Sequence, residues 1–331
     1  MRALTCRHFD ALDRLSVEEW STPRPGAGEL AISVEAAAIN YADLLMVQGR
    51  YQVRPRLPFI PGTEITGTVT SVGKGVWRHK PGDRVMAWCG QGGLATVCVT
   101  SQHRVMPLPP DMDYEQGASL FVCSGTALYG IKTRGRLRGG ETLLVLGAAG
   151  GVGLAAIQVG KMLGARVIAA ASSPSRLALC REAGADETLD YTAQDLRESV
   201  AEMTAGWGVD VVLDPLGGPY TESALRVMAA GGRMLIVGFA SGSIPSVPLN
   251  LALLGNRTIL GISWGDFVRS NRRADRANHR LLMRWFSGGG IRAIIGERHT
   301  LDGASAAMVR MAARQTMGKI VILPLRSGPC P

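Results

Sequence analysis

Two rhythms of apolar and polar residues divide the chain. Up to about residue 120 the apolar stretches are short and alternate with polar positions, as in ELAISVEAA, EITGTVTSVG and LATVCVT, and PGAG, LPFIPG and PGDR interrupt them. Such runs between Gly/Pro turns predict an irregular, mostly β lobe. From about residue 140 the runs turn continuously apolar: TLLVLG, RVIAAA, ETLDY, VDVVLD and RMLIVG, several followed by a helix-compatible segment. Strands alternating with helices predict a doubly wound parallel sheet covered on both faces, where a strand has no polar side to show. After RTILGI, near residue 262, come an arginine-rich helix and a last strand-like run, KIVILP. The tail, RSGPCP, is expected to be disordered.

The first run of the second half ends in VLGAAGGVG, residues 145–153, and an apolar helix begins at Leu154. A glycine-rich turn between a strand and a helix lets backbone N–H groups and the helix dipole meet a pyrophosphate at close range. Against the pattern G-x-G-x-x-G the first place holds Ala148, and Gly150 and Gly153 keep the other two. The backbone of Ala149, Gly150, Gly151, Val152 and Gly153 is therefore the candidate phosphate cradle. The end of the next strand discriminates between dinucleotides. A carboxylate there would hold a free ribose 2′-hydroxyl, but this chain offers Ala171, Ser172, Ser173 and then Arg176, a set suited to a 2′-phosphate. Ser-Ser-Pro is also a good helix start, with a serine N-cap and proline just inside, so the serines have a structural alternative.

Composition narrows the classes. At 331 residues the chain is long enough for more than one core, and 46% hydrophobic residues with a mean hydropathy of +0.12 fit a soluble globular protein. No apolar run approaches the roughly 20 residues that span a bilayer. The start, MRALTCRHFD, carries charge where a secretory signal needs apolar residues, so a cytoplasmic location is expected. The six cysteines lack C-x-x-C spacing and are expected to be reduced thiols. The formal charge of +9 is densest in VRSNRRADRANHRLLMRW, residues 268–285, where Arg272, Arg276, Arg280 and Arg284 recur at helical spacing. A solvated helix face is the simplest reading, with an acidic substrate as the alternative. His79 and His103 have no partner motif and read as surface residues.

NYADLLMVQGRY, LPFIPGTEITG, GDRV, SGTALYG, GAAGGVGLAAIQVGKMLGARVIAAASS, DVVLDPLGG and GKIVILP stand in the order and spacing of the medium-chain dehydrogenase/reductase superfamily. Over nearly its whole length the chain most resembles the zinc-free NADPH:quinone oxidoreductase branch. That resemblance implies a GroES-like, mostly β catalytic domain in residues 1–122 and 261–331, with a Rossmann domain at 123–260 between the two parts. It also implies a homodimer, with RTILGI able to pair with its copy; pairing within its own domain is the structural alternative.

Zinc-dependent members of the superfamily place a Cys, a His and a third ligand where this chain has Asn40, Thr63 and Val122 or Cys123. One thiol cannot replace the roughly three protein ligands of a catalytic zinc. The clustered cysteines of a structural zinc lobe are missing too, since Cys89 and Cys98 stand alone, so no metal is expected. The resemblance places Asn40, Asp43 and Tyr51 beside the nicotinamide, with Tyr51 able to donate a hydrogen bond or proton to the acceptor oxygen. Tyr51 packed under the LPFIPG turn, and Asp43 merely organising its loop, are the structural alternatives. Thr126 is implied at the nicotinamide or its ribose, although a threonine near a helix start also serves as a cap. Tyr191 is implied near the adenosine, and Gly238, Phe239, Ala240 and Trp264 at the carboxamide. Lys319 is implied at the phosphates or ribose, or else as a strand-end surface lysine.

The expected function is NADPH-dependent hydride transfer to quinones or related α,β-unsaturated carbonyl compounds. An enoyl-thioester reductase is the runner-up, because that neighbouring branch also carries N-x-x-D and G-x-Y. A redox-silent NADPH-binding protein with nucleic-acid or protein partners is the reading from another class, disfavoured because no aromatics are interleaved with the basic residues.

Overall fold

The computed structural model describes residues 1–9 and 12–326, so the tail expected to be disordered lies, apart from Arg326, outside the described residues. The chain divides into two compact units, residues 1–122 with 293 onward, and residues 123–292. The second division thus falls at 292/293 and not at the expected 260/261.

In chain order, unit 1 begins with β1 (Arg2–Thr5), β2 (Ser16–Glu19), β3 (Glu29–Ile39), α1 (Tyr41–Val47), β4 (Glu64–Val72), β5 (Arg84–Trp88), β6 (Val97–Ser101) and β7 (Val105–Pro107). Helix α2 follows (Tyr114–Leu128). Unit 2 then alternates as its apolar runs predict: β8 (Thr142–Val145), α3 (Gly151–Met162), β9 (Arg166–Ala171), α4 (Pro174–Glu182), β10 (Glu187–Asp190), α5 (Leu196–Met203), β11 (Val209–Asp214), α6 (Tyr220–Arg226), β12 (Met228–Ile236), α7 (Asn250–Leu253) and β13 (Thr258–Gly261). Two helices, α8 (Trp264–Ser270) and α9 (Arg272–Ser287), complete it. The chain returns to unit 1 as β14 (Ile295–Thr300), α10 (Ala304–Ala312) and β15 (Lys319–Leu323).

Among the described residues the unit 2 sheet runs β10-β9-β8-β11-β12-β13 with every pair parallel. This is the doubly wound order in which connections diverge from the first strand, so the strands' carboxyl ends share one edge where ligands bind. Leu144, Ile168, Val212 and Met234 carry the core through it. The unit 1 sheet runs β14-β15-β3-β4-β5-β7, with β6 also on β3. Its core joins Ile32, Ile39 and Ile65 to Leu301, Ile320 and Ile322, so both ends of the chain build one interior.

Helix α9 qualifies the reading of its arginines as a solvated face. Arg272, Arg273, Arg280 and Arg284 are exposed, yet the opposite face buries Asp275, Asn278, His279, Leu282 and Phe286. Burial pushes the Asp275 carboxyl up to about 6 and, helped by Arg280, the His279 imidazole down to about 4. The imidazole is therefore neutral at neutral pH, whereas the carboxyl is protonated only below about pH 6. His79 departs from its expected place as well. Its side chain is 4% exposed and burial lowers its affinity for a proton; His103 is half-buried, with Nδ1 shielded from solvent.

Candidate active site

In unit 2 the candidate residues gather at the carboxyl ends of the parallel strands. After β8 the chain turns at Gly147 (φ +56°), Ala148 donates its N–H to Ala170 O of β9 at 3.0 Å, and Gly150 becomes the N-cap of α3. The left-handed position thus falls on Gly147, one residue before the place where the pattern's first glycine was sought. Gly153 is needed for contact: a Cβ there would lie 2.6 Å from the Ala148 Cα and from the Gly147 carbonyl oxygen. Leu154 N–H makes an early helical bond to Gly150 O at 2.9 Å. The amides of Gly151, Val152 and Gly153 precede it and have no carbonyl a turn back, so they are the donors available to an anion. Ala149 is buried.

The neighbouring strand ends complete the edge. Ala171 closes β9, and Ser173 caps α4, its Oγ accepting the Arg176 N–H at 3.4 Å with Pro174 just inside. The capping role of the Ser-Ser-Pro run therefore holds for Ser173, while Ser172 and Arg176 are half-buried beside it. Tyr191 follows β10, donates its N–H to Ala171 O at 3.1 Å and packs on Tyr220, ring centroids 4.4 Å apart. Beyond β12, Gly238 and Ala240 donate their N–H groups to Asp214 O and Pro215 O, and Phe239 lies against the Gly217 backbone. Trp264 is buried at the start of α8, its indole against Gly125. Thr126, next to Gly125, is buried in the last turn of α2, so it is not a cap at a helix start.

Asp214 was missed by the sequence reading. It is fully buried, with Oδ1 accepting Leu216 and Gly217 N–H at 2.9 and 2.7 Å and Oδ2 accepting the Thr221 hydroxyl at 2.7 Å. A carboxylate so satisfied shapes the loop after β11, and an Asp ending an apolar run just before PLGG was its signal.

Unit 1 brings Asn40, Asp43 and Lys319 together, with Tyr51 beyond the end of α1. Asn40 is the N-cap of α1, and its backbone N–H donates to Asp43 Oδ2 at 2.7 Å, so Asp43 does organise its loop. Arg50 and Tyr51 both donate N–H to Leu45 O at 2.8 and 3.1 Å, and the Tyr51 ring packs on the core that holds Phe59. Lys319 is not a surface lysine. It is 4% exposed, and its ammonium donates to Asn40 Oδ1 at 2.7 Å and to Glu64 Oε2 and Ile39 O at 3.3 Å. Glu64, adjacent to Thr63, was also overlooked; a carboxylate in the otherwise apolar strand opening EITG was the sign. The Asn40 Nδ2 reaches Thr63 Oγ1 at 3.5 Å, so the positions compared with metal ligands form a hydrogen-bonding pair here. Cys89 and Cys98 do not stand alone. Both are buried, and the Cys98 thiol, followed by burial, raises the Cys89 thiol well above its usual range.

Comparison with known proteins fits this geometry. Residues 26–110 match the alcohol dehydrogenase GroES-like domain and residues 151–279 the zinc-binding dehydrogenase family model. A quinone oxidoreductase-like protein 2 homolog of Nematostella vectensis is 36% identical over 97% of this chain and 88% of its own. The chain belongs to the quinone oxidoreductase family of medium-chain dehydrogenases/reductases. Two structures of the family superpose on it closely. A mycobacterial protein complexed with NADPH has 32% identity and a TM-score of 0.92, covering 98% of this chain and 100% of that one. The Escherichia coli quinone oxidoreductase, also complexed with NADPH, has 27% identity and a TM-score of 0.93 over the same shares. As a member of the quinone oxidoreductase family, the chain is an oxidoreductase.

Asp43 carries a prediction. Burial raises its carboxyl to about 7, against the pull of the Asn40 N–H, the Thr63 hydroxyl and the Lys319 ammonium. Its Oδ1 has no hydrogen-bond partner among the described residues. Between about pH 4 and 7 the folded protein keeps a proton that the unfolded chain releases, so this group's stabilising contribution is full below that window and is lost as pH rises through it. The slope is at most about 1.4 kcal/mol per pH unit. Urea unfolding of wild type and Asp43→Asn from pH 4.5 to 8 should show the wild type losing ground to the variant up to about pH 7 and holding level above it. A constant difference would exclude a protonated Asp43.

Proposed function

We propose that the protein is an NADPH-dependent, zinc-independent reductase that delivers hydride to quinones or related α,β-unsaturated carbonyl compounds, acting in the cytoplasm. The end of β9 carries the cofactor assignment: Ser172, Ser173 and Arg176 stand there with no acidic residue in 171–176, and the Asp190 carboxylate, opposite Ala171 on β10, accepts the Thr192 N–H and hydroxyl. When bound, NADPH supplies the hydride. The amides of Gly151, Val152 and Gly153 hold its pyrophosphate, Arg176 and the serines its 2′-phosphate, Tyr191 the adenosine side, and Gly238–Ala240, Thr126 and Trp264 the nicotinamide end. Tyr51 donates to the acceptor oxygen as negative charge develops there, and Asn40 and Asp43 hold the start of α1 from which the Tyr51 turn hangs. Asn40 and Thr63 standing in the places of zinc ligands support metal independence.

A homodimer fits the edge of the unit 2 sheet. β13 pairs with β12 on one side only among the described residues. In the segment that leads to it, Ile244, Leu249, Leu253 and Leu254 are each more than three-quarters exposed. An open strand bordered by apolar side chains is covered by pairing with its copy. Among the described residues no helix is long and apolar enough to cross a membrane. The exposed α9 arginines favour the second reading, an enoyl-thioester reductase, because a coenzyme A phosphate would suit them.

NADPH consumption with benzoquinone, naphthoquinones and a short enoyl-CoA, each with a chelator present, tests the reading. Quinone turnover that survives the chelator is expected. A thioester rate far above every quinone rate would give the second reading precedence, and NADPH binding with no oxidation would indicate a redox-silent protein. In the same assay Tyr51→Phe should lower kcat by roughly ten- to a thousandfold while NADPH affinity stays put; an unchanged kcat reduces Tyr51 to packing. A charged hydrogen bond from Arg176 is worth about 1.5–3 kcal/mol, which favours NADPH over NADH by roughly ten- to a hundredfold in kcat/KM. Arg176→Ala should erase most of that preference by weakening NADPH alone; parallel loss of both cofactors would assign Arg176 to the fold. Light scattering should find a dimer that Leu254→Glu converts to a monomer, whereas a dimeric variant would place the interface elsewhere.

A further inference from the structure

Glu64 opens β4 with no exposed surface, and Lys319 opens β15 nearly as deep. The Glu64 Oε1 accepts the Val122 N–H at 2.7 Å, and Oε2 accepts Asn40 Nδ2 at 3.0 Å and Lys319 Nζ at 3.3 Å. On the other side of the same carboxamide, Lys319 Nζ donates to Asn40 Oδ1 at 2.7 Å. An asparagine side chain can occupy its place in two ways, related by a half-turn that exchanges oxygen and nitrogen, and shape barely separates them. Here charge separates them. An ammonium only donates and an ionised carboxylate only accepts, so the reversed carboxamide would turn its NH2 toward Lys319 and its oxygen toward Glu64.

We propose that Glu64 and Lys319 are positioning residues for the reduction site: together they force the Asn40 carboxamide into one orientation, and so fix the start of α1 and the turn that presents Tyr51. The role rests on the reading of Tyr51 given above. Asn40 begins α1, Asp43 in its first turn holds the Asn40 N–H, and Leu45 O receives the Tyr51 N–H beyond its end. Lys319 is placed by strand pairing, since the next residue, Ile320, lies opposite Ile39 of β3. Sub-ångström errors in such a chain are expensive for catalysis, because a misplacement of about 1 Å can cost on the order of a hundredfold in rate.

A purely structural ion pair makes a different forecast. Replacing a buried pair by apolar side chains of similar volume often leaves stability equal or higher. In Glu64→Leu/Lys319→Met, a structural role predicts that stability and turnover return together. Positioning predicts, in a double variant that is still folded at the assay temperature although the Val122 N–H and the Asn40 amide lose their acceptor, kcat for a quinone lowered about ten- to a hundredfold and KM for NADPH within about twofold. Glu64→Gln, which keeps the shape but exchanges one acceptor for a donor, should lose turnover in the same way and serves if the double variant does not fold. Lys319→Arg should recover most of what Lys319→Met loses. Asparagine-selective 15N labelling supplies a readout that needs neither cofactor nor acceptor: the wild-type Asn40 side-chain amide should give one shifted, slowly exchanging pair of signals that collapses in the double variant and in Glu64→Gln. Wild-type kcat in the double variant, or Asn40 signals indifferent to these changes, overturns the proposal. Absence of quinone reduction by the wild-type protein would instead sink the functional reading, and the amide signals would still decide what the pair does.

Discussion

A carboxylate cut off from water must find its hydrogen-bond donors within the protein, and each unit of this enzyme is organised around one. In unit 1 it is Glu64, met by a backbone N–H, a carboxamide and an ammonium. In unit 2 it is Asp214, met by two backbone N–H groups and a hydroxyl. Each stands at a strand end, where the ladder of backbone bonds stops and a loop needs another source of order. Glu64 fixes the segment that leads to Tyr51, and Asp214 the segment against which Phe239 rests. Removing either would leave donors unmatched in an interior that cannot hydrate them, so the loops borrow their definition from buried charge.

The two units differ in how much of this could be read from residues alone. Strands buried on both faces write themselves as continuous apolar runs, so RVIAAA and VDVVLD announced β9 and β11 and the alternation announced the parallel sheet. The glycine-rich turn is likewise local, and only its left-handed position moved, from Ala148 to Gly147. What escaped depends on distance along the chain. Lys319 meets Glu64 across 255 residues, and no window on the sequence contains both, so Lys319 was read as reaching for phosphates or solvent. The helix α9 misled for a related reason: its arginine stripe was plain, but that its other side would bury Asp275 and His279 depends on what packs there. Once α9 is counted with unit 2, the boundary shifts from 260/261 to 292/293.

Lys319 also bears on how the protein is made. Synthesis completes unit 2, residues 123–292, while unit 1 still lacks β15, the strand between β14 and β3. At roughly 5–20 residues per second, the inserted unit leads by on the order of a few seconds. During that interval Glu64 sits in a sheet that already has both neighbours of β4 but lacks β15 and with it the ammonium that answers its charge. The half of the enzyme begun first is therefore finished last, when the closing strand brings the counter-charge that lets its interior dry.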